Sequence, residues 1–189
     1  ANTLYTAFAS GSSLTGIYRT TDGGTTWTAT GSTPAGVGQA GYNLVLGVHP
    51  TDANTVLFGE VHLWRTTNGG GSWTRVSTGS PGIHADQHAI AFHPTNGSLV
   101  FVGNDGGVFY STDGGVTYTH RNKDLATLQY FICANHSLWD AVMLGGTQDN
   151  GAQRYLGHPA WEHSALGDGA YAAINSTTDT RRWFESRYW

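Results

Sequence analysis

One nine-residue pattern returns three times along the chain: Arg19-Thr20-Thr21-Asp22-Gly23-Gly24-Thr25-Thr26-Trp27, Arg65-Thr66-Thr67-Asn68-Gly69-Gly70-Gly71-Ser72-Trp73 and Tyr110-Ser111-Thr112-Asp113-Gly114-Gly115-Val116-Thr117-Tyr118. Its Asp or Asn positions stand 46 and then 45 residues apart. A period of that size is one supersecondary unit, too short to bury a core alone and built to stack on its neighbours. Each copy follows an apolar run (16–18, 62–64, 108–110) and leads into a Thr-rich, β-prone run, which is the pattern of a hairpin closed by an Asp-Gly or Asn-Gly turn. Upstream, Asn43 to Val48 and Ala89 to Phe92 read as a further strand, each running into His-Pro (His49-Pro50, His93-Pro94). Thr55 to Phe58 and Leu99 to Val102 read as the next, giving four strands per repeat in an up-and-down meander.

Four antiparallel strands every ~40 to 50 residues define a propeller blade, so the expected fold is all-β: a β-propeller of four-stranded antiparallel blades, with about four blades covered. The expected boundaries are a partial blade 1 at 1–39, blade 2 at 40–78, blade 3 at 83–122, blade 4 at 125–165 and a partial blade 5 at 167–189. Both terminal blades are unfinished in this scheme, so the segment is expected to belong to a larger ring completed by the remainder of a parent chain or by other subunits. Twenty-seven glycines and 12% aromatic residues suit short strands and tight turns and exclude a helical bundle. With a net charge of −4 and no basic run, nucleic acid is excluded as a partner. No segment approaches the ~20 apolar residues of a membrane helix. The single cysteine, Cys133, lies in the apolar stretch Tyr130 to Ala134 and is expected to be a buried thiol. A Thr/Ser/Gly-rich chain with one lysine, Lys123, points to an extracellular or periplasmic location.

The three turns resemble the Asp-box, or BNR, repeat (Ser/Thr-x-Asp-x-Gly-x-x-Trp) of sialidases, xyloglucanase-type glycoside hydrolases, sortilin-like receptors and secreted propellers. The wider series His84-Ala85-Asp86-Gln87-His88, Gly103-Asn104-Asp105-Gly106-Gly107, Leu128-Gln129-Tyr130, Gly145-Gly146-Thr147-Gln148-Asp149-Asn150-Gly151 and Gly167-Asp168-Gly169 resembles bacterial Asp-box proteins of glycosyl-hydrolase type. This resemblance implies carbohydrate as substrate or ligand. It also places the box on the hairpin between the third and fourth strands of each blade, with Asp22, Asn68 and Asp113 as structural residues. A carboxylate there accepts backbone N–H groups of its own turn, and Asn68 keeps the turn-forming oxygen without the charge. Sialidase chemistry itself does not map: Arg181, Arg182 and Arg187 crowd one terminal segment, and Glu60, Glu162 and Glu185 stand in no recognisable motif.

Strand alternation puts the turns between second and third strands on the same face as the blade-to-blade connections, opposite the Asp turns. The polar clusters fall on that shared face. Asp86, Asp105, Asp149 and Asp168 are the candidate acid/base or hydrogen-bonding carboxylates, with His84, His88, Asn104, Gln129, Gln148 and Asn150 as candidate ligand-binding residues. For Asp105 and Asp149 the alternative is a plain turn role beside glycine. For His84-x-Asp86-x-His88, a period of two on an extended segment would align three metal-ligand types, and the alternative is a hydrogen-bonded channel lining. No cofactor is required, though a divalent cation such as calcium suits the carboxylates. Trp64 and Tyr130 are candidate sugar-stacking rings. Two function classes follow: a carbohydrate-active propeller, hydrolytic or glycan-binding, and a non-catalytic interaction or assembly scaffold.

Overall fold

The computed structural model describes residues 2–76, 82–125, 128–139, 141–174 and 183–188, with side chains of the last segment and of residue 165 outside that description. Arg181, Arg182 and the side chain of Arg187 therefore lie outside the described residues. The chain forms two compact units, residues 1–125 and 126–189. Every regular element among the described residues is a β-strand, so no helix is long and apolar enough to cross a membrane.

In the first unit, β1 (Leu4–Ser10), β2 (Ser13–Thr20) and β3 (Thr28–Ala29) form a three-stranded sheet. A four-stranded sheet follows in the order β4 (Val45–Val48), β5 (Val56–Gly59), β6 (Leu63–Thr66), β7 (Thr74–Arg75). Another comprises β8 (Gln87–His93), β9 (Asn96–Asn104), β10 (Gly107–Ser111) and β11 (Thr119–His120). In the second unit, β12 (Tyr130–Asn135), β13 (Met143–Thr147), β14 (Ala152–Tyr155) and β15 (Glu162–Ala165) form a four-stranded sheet, and β16 (Asp168–Ile174) pairs with β17 (Trp183–Tyr188). All pairings are antiparallel between sequence neighbours, the up-and-down order of propeller blades.

Stacking of sheets explains the burial. All four residues of β5 are buried, because its sheet is covered on both faces; the strand therefore reads as a continuous apolar run without alternation. The core of the first unit joins Leu57 and Leu63 to Val100, Val102, Phe109 and Tyr118 of the next sheet. The inner strands β4 and β8 approach closely at Gly47, where a Cβ would collide with Ile90. The outer strands β3, β7 and β11 have only two residues each, so the exposed edge offers little backbone for pairing with another sheet.

The Asp turns connect the third to the fourth strand of each blade, and side chains close them. Asp113 Oδ1 accepts from Ser111 Oγ (2.7 Å), Val116 N (3.0 Å) and Thr117 N (2.9 Å), while Oδ2 accepts from Thr117 Oγ1 (2.6 Å). The serine hydroxyl is buried and in turn accepts from Gly115 N at 2.9 Å. Asp22 repeats the scheme with Thr20 and Thr26, and Asn68 with Thr66 and Ser72. Gly114 and Gly115 take φ of 71° and 87°, a backbone that a Cβ disfavours. These bonds hold both turn carboxylates low. For Asp22 the Thr26 hydroxyl and amide dominate; for Asp113, burial pushes upward but the bonds from Thr117, Ser111 and Val116 outweigh it and bring the group to about 2.

Cys133 departs from expectation. It is exposed, because β12 is the edge strand of its sheet and its side chains are mostly uncovered despite their apolar character.

Candidate functional site

The first unit gathers polar side chains where β8 enters its sheet. Two backbone bonds fix that entry: Asp86 N donates to Val61 O (3.1 Å) and Gln87 N to Glu60 O (2.6 Å), so the turn between β5 and β6 sets the start of the next blade. Gln87 is fully buried beneath the site. Its Nε2 donates to His84 O (2.6 Å) and its Oε1 accepts from Asn104 Nδ2 (3.2 Å), satisfying the amide and tying 84–87 to the end of β9.

Above this floor stand two carboxylates. Asp105, in the turn between β9 and β10, places Oδ1 2.6 Å from His88 Nε2, an ion pair whenever the imidazole is protonated. Asp86 Oδ1 accepts from Nδ2 of the buried Asn43 at 2.9 Å. Carboxylate oxygens of Asp86 and Asp105 come within 4.8 Å of one another. Burial pushes the Asp86 carboxyl upward, and the nearby Asp105 charge adds to the shift, against the opposing pull of the Asn43 bond, His84 and His88. The two acids thus differ in surroundings: Asp86 has its proton affinity raised by burial, whereas Asp105 faces a histidine. Tyr42, 67% exposed, sets its ring edge-on to His88 with centroids 5.5 Å apart.

The extended His84-x-Asp86-x-His88 triplet does not form. Asp86 has φ of 61°, in the left-handed region, and the register with β9 shifts between Gln87 and Ala89, so the period-two alignment is broken. His84 lies before the strand with Nδ1 3.2 Å from the carbonyl of Ala85. Among the described residues, His84, Asp86 and His88 do not converge as a three-ligand metal group. His84 contributes its backbone carbonyl, which accepts from both Gln87 and Asn104.

The second unit has its own polar turn between β13 and β14. Asp149, with φ of 59°, donates its backbone N to Asp168 Oδ1 at 2.8 Å. Gln148 N donates to Gln129 O (2.9 Å), and Asn150 Nδ2 donates to Gln148 O (3.1 Å). Asp168 thus uses its carboxylate to hold the preceding blade's turn, whereas Asp86 makes the corresponding tie with its backbone. Tyr130, 37% exposed, has Trp161 beside it with centroids 6.2 Å apart. Trp64 is half-buried, with its Nε1 enclosed and without an acceptor among the described residues.

Within the first unit the expected face assignment is met: Asp105 precedes β10 and Asp113 follows it, at opposite ends of one strand. Sequence reasoning missed Tyr42 and Asn43, which reach Asp86 and His88 from the entry to β4, and the fully buried Glu60, which accepts from the amides of His62 (3.3 Å) and Gly38 (3.4 Å). The only local signal was their position in the repeat: Asn43 leads into an inner strand, and Glu60 occupies the position that in the next blade is Asn104, at the end of β9.

No protein-family model matches the sequence, and no curated protein does. Among solved structures, the chain is similar to the GH74 xyloglucanase from Xanthomonas campestris, with a TM-score of 0.53 and 17% identity over 92% of this chain and 32% of that one. It is also similar to the GH74 enzyme of Niastella koreensis, with a TM-score of 0.51 and 21% identity over 99% of this chain and 32% of that one. The chain thus spans about a third of the length of these enzymes. At these identities the likeness shows the fold, and the fold is that of β-propeller blades.

Proposed function

We propose that this chain is the blade segment of an extracellular or periplasmic carbohydrate-active propeller of glycoside-hydrolase type, with Asp-box hairpins on one face and its saccharide site around Asp86 and Asp105 on the other. The observation that carries this reading is the unlike carboxylate pair: a half-buried acid with a raised proton affinity, 4.8 Å or less from a second acid paired with histidine. A carboxyl whose proton affinity burial raises, beside a second carboxylate, suits a division into acid and base. In the reading offered here, Asp86 protonates the glycosidic oxygen as the anomeric C–O bond breaks, and Asp105 takes the proton of the water that forms the new bond to the anomeric carbon. Exposed Tyr42 beside His88 supplies an apolar face for a sugar ring. The propeller fold shared with the GH74 enzymes, one of them a xyloglucanase by name, makes a plant β-glucan the first ligand to try.

The test is affinity electrophoresis and product analysis with xyloglucan, mixed-linkage β-glucan and a non-glucan control. Wild type is compared with Asp86→Asn and Asp105→Asn. Retardation or cleavage with a glucan, lost in both variants while far-UV circular dichroism is unchanged, is the expected result. A wild-type chain inert toward every glycan overturns the reading in favour of a scaffold.

A further inference from the structure

On the opposite face, the hairpins of the first two blades border an open cleft of about 320 Å³, lined by Arg19, Thr21, Thr28, Asn68, Gly69 and Gly71 among others. This lies within the range of small-molecule sites, ~300 to 1,000 Å³. Three observations give it a sign and a chemistry.

The first is Arg19. In the next blade the equivalent residue, Arg65, donates Nε to the carbonyl of Gly114 at 3.0 Å and so ties itself to the neighbouring turn. Arg19 has the same register, opposite Thr28 as Arg65 is opposite Thr74, and its Nη1 lies against Gly69, the counterpart of Gly114. Yet its Nε is buried with no hydrogen-bond acceptor among the described residues. The guanidinium is therefore not tied to the neighbouring turn as that of Arg65 is, and its charge borders the cleft, where an anion can pair with it. The second is Asn68. Of the two repeat turns that border this cavity, the second puts a neutral amide into the lining at the position where the other two repeats carry Asp22 and Asp113. A carboxylate here would put a negative charge into the wall that holds Arg19. The third is the remaining lining, rich in threonine hydroxyls and turn glycines, which is polar and adds no second charge. The Asp22 carboxylate, turned into its own hairpin by Thr20 and Thr26, does not line the cavity, whereas Asn68 does.

We infer that the cleft between the first two hairpins binds a small oxyanion through the Arg19 guanidinium, either as a free ion or as the acid group of a charged sugar. The site is separate from the Asp86–Asp105 cluster and stands whether or not that cluster acts on glycans.

The wild-type chain is titrated with sodium sulfate, sodium phosphate and glucuronate at constant ionic strength, with glucose and sodium chloride as controls, following the indole and arginine side-chain resonances by NMR. At least one oxyanion is expected to bind in the millimolar range or tighter. Glucuronate binding ~10-fold more tightly than both inorganic ions identifies a sugar acid as the ligand, and parity identifies the free ion. Asn68→Asp, a residue the same turn accepts in the other two repeats, is expected to weaken binding by at least ~10-fold. Arg19→Gln is expected to abolish it, and if that variant misfolds Asn68→Asp decides alone. No oxyanion binding by wild type at ~10 mM, or equal binding by Asn68→Asp, overturns the proposal.

Discussion

Replacing Asp113 separates the two things its carboxylate brings to the hairpin, an acceptor oxygen and a charge. In Asp113→Ala four donors lose their acceptor: the Ser111 hydroxyl, the Val116 and Thr117 amides and the Thr117 hydroxyl. Val116 and Thr117 are at the surface and turn to water, at little cost each. Ser111 is 1% exposed and cannot, so its hydroxyl is left without an acceptor. One enclosed hydroxyl plus a lost turn cap corresponds to ~1 to 2 kcal/mol. Asp113→Asn should cost only a few tenths of that range, because Asn68 already shows the amide in place: its Oδ1 accepts from Thr66 Oγ1 (2.8 Å) and Ser72 N (2.9 Å), and its Nδ2 donates to Ser72 Oγ (3.0 Å). The charge has its own signature. The carboxyl is depressed in the folded chain to about 2, against ~3.9 when unfolded. Ionised Asp113 therefore contributes stability that is fully present above the unfolded value and lost as pH falls through the folded one. Its exposure to solvent keeps this contribution well below what the shift would convert to in a buried site. Urea denaturation followed by circular dichroism at pH 7 and pH 3 measures both effects. The gap between wild type and Asp113→Asn should narrow at pH 3, while Asp113→Ala stays the weaker protein at both. Glycan or oxyanion binding by the folded fraction should not change. Equal damage from Asn and Ala would mean that charge, not geometry, closes the turn and would refute the reasoning.

Other perturbations probe the packing and the acid pair. Gly47→Ala forces a methyl into Ile90 across the contact of two inner strands and should cost ~1 to 3 kcal/mol in urea unfolding; an unchanged midpoint would contradict that contact. Leu57→Ala empties the centre of the first unit's core, where the side chain is fully buried, and should cost ~2 to 5 kcal/mol; a loss under ~1 kcal/mol would mean that the neighbouring blade does not cover it. Asp86→Asn works with the opposite sign from Asp113. The raised carboxyl in the fold is a penalty that grows as pH rises from the unfolded value through the folded one. The amide should therefore leave stability equal or higher at pH 7 and unchanged near pH 3.5, and a clear loss at pH 7 confined to the folded core would argue against the raised carboxyl.

The blades were legible because their signal is local. Each Asp-Gly or Asn-Gly turn specifies its own hairpin, and the apolar runs around it have the length of strands, so β5, β6, β9 and β10 fall where the repeat puts them. The inner strands were harder, since their ends depend on the neighbouring blade. Nothing within residues 84–88 announces that Asp86 turns into the left-handed region; that follows from the amides of Asp86 and Gln87 reaching Val61 and Glu60. The candidate site was read in part for the same reason. Asp86, His88 and Asp105 come from one blade and were found together, while Tyr42 and Asn43 approach from the blade before, more than forty residues upstream. Cys133 was misread because apolar neighbours in sequence say nothing about whether the strand they form is covered.

The backbone tie from residues 86 and 87 to the turn at Glu60 and Val61 also makes the second blade a template for the third. Chemistry displayed on one blade is aimed by a turn belonging to its predecessor, and that turn is itself pinned through the enclosed Glu60 to the amide of Gly38 in the preceding connection. A substitution at Glu60, distant in sequence from any candidate carboxylate, would displace Asp86 without touching it. Variation that retunes such a surface can therefore accumulate in connections that never meet a ligand, and a search for specificity confined to contacting residues would overlook it.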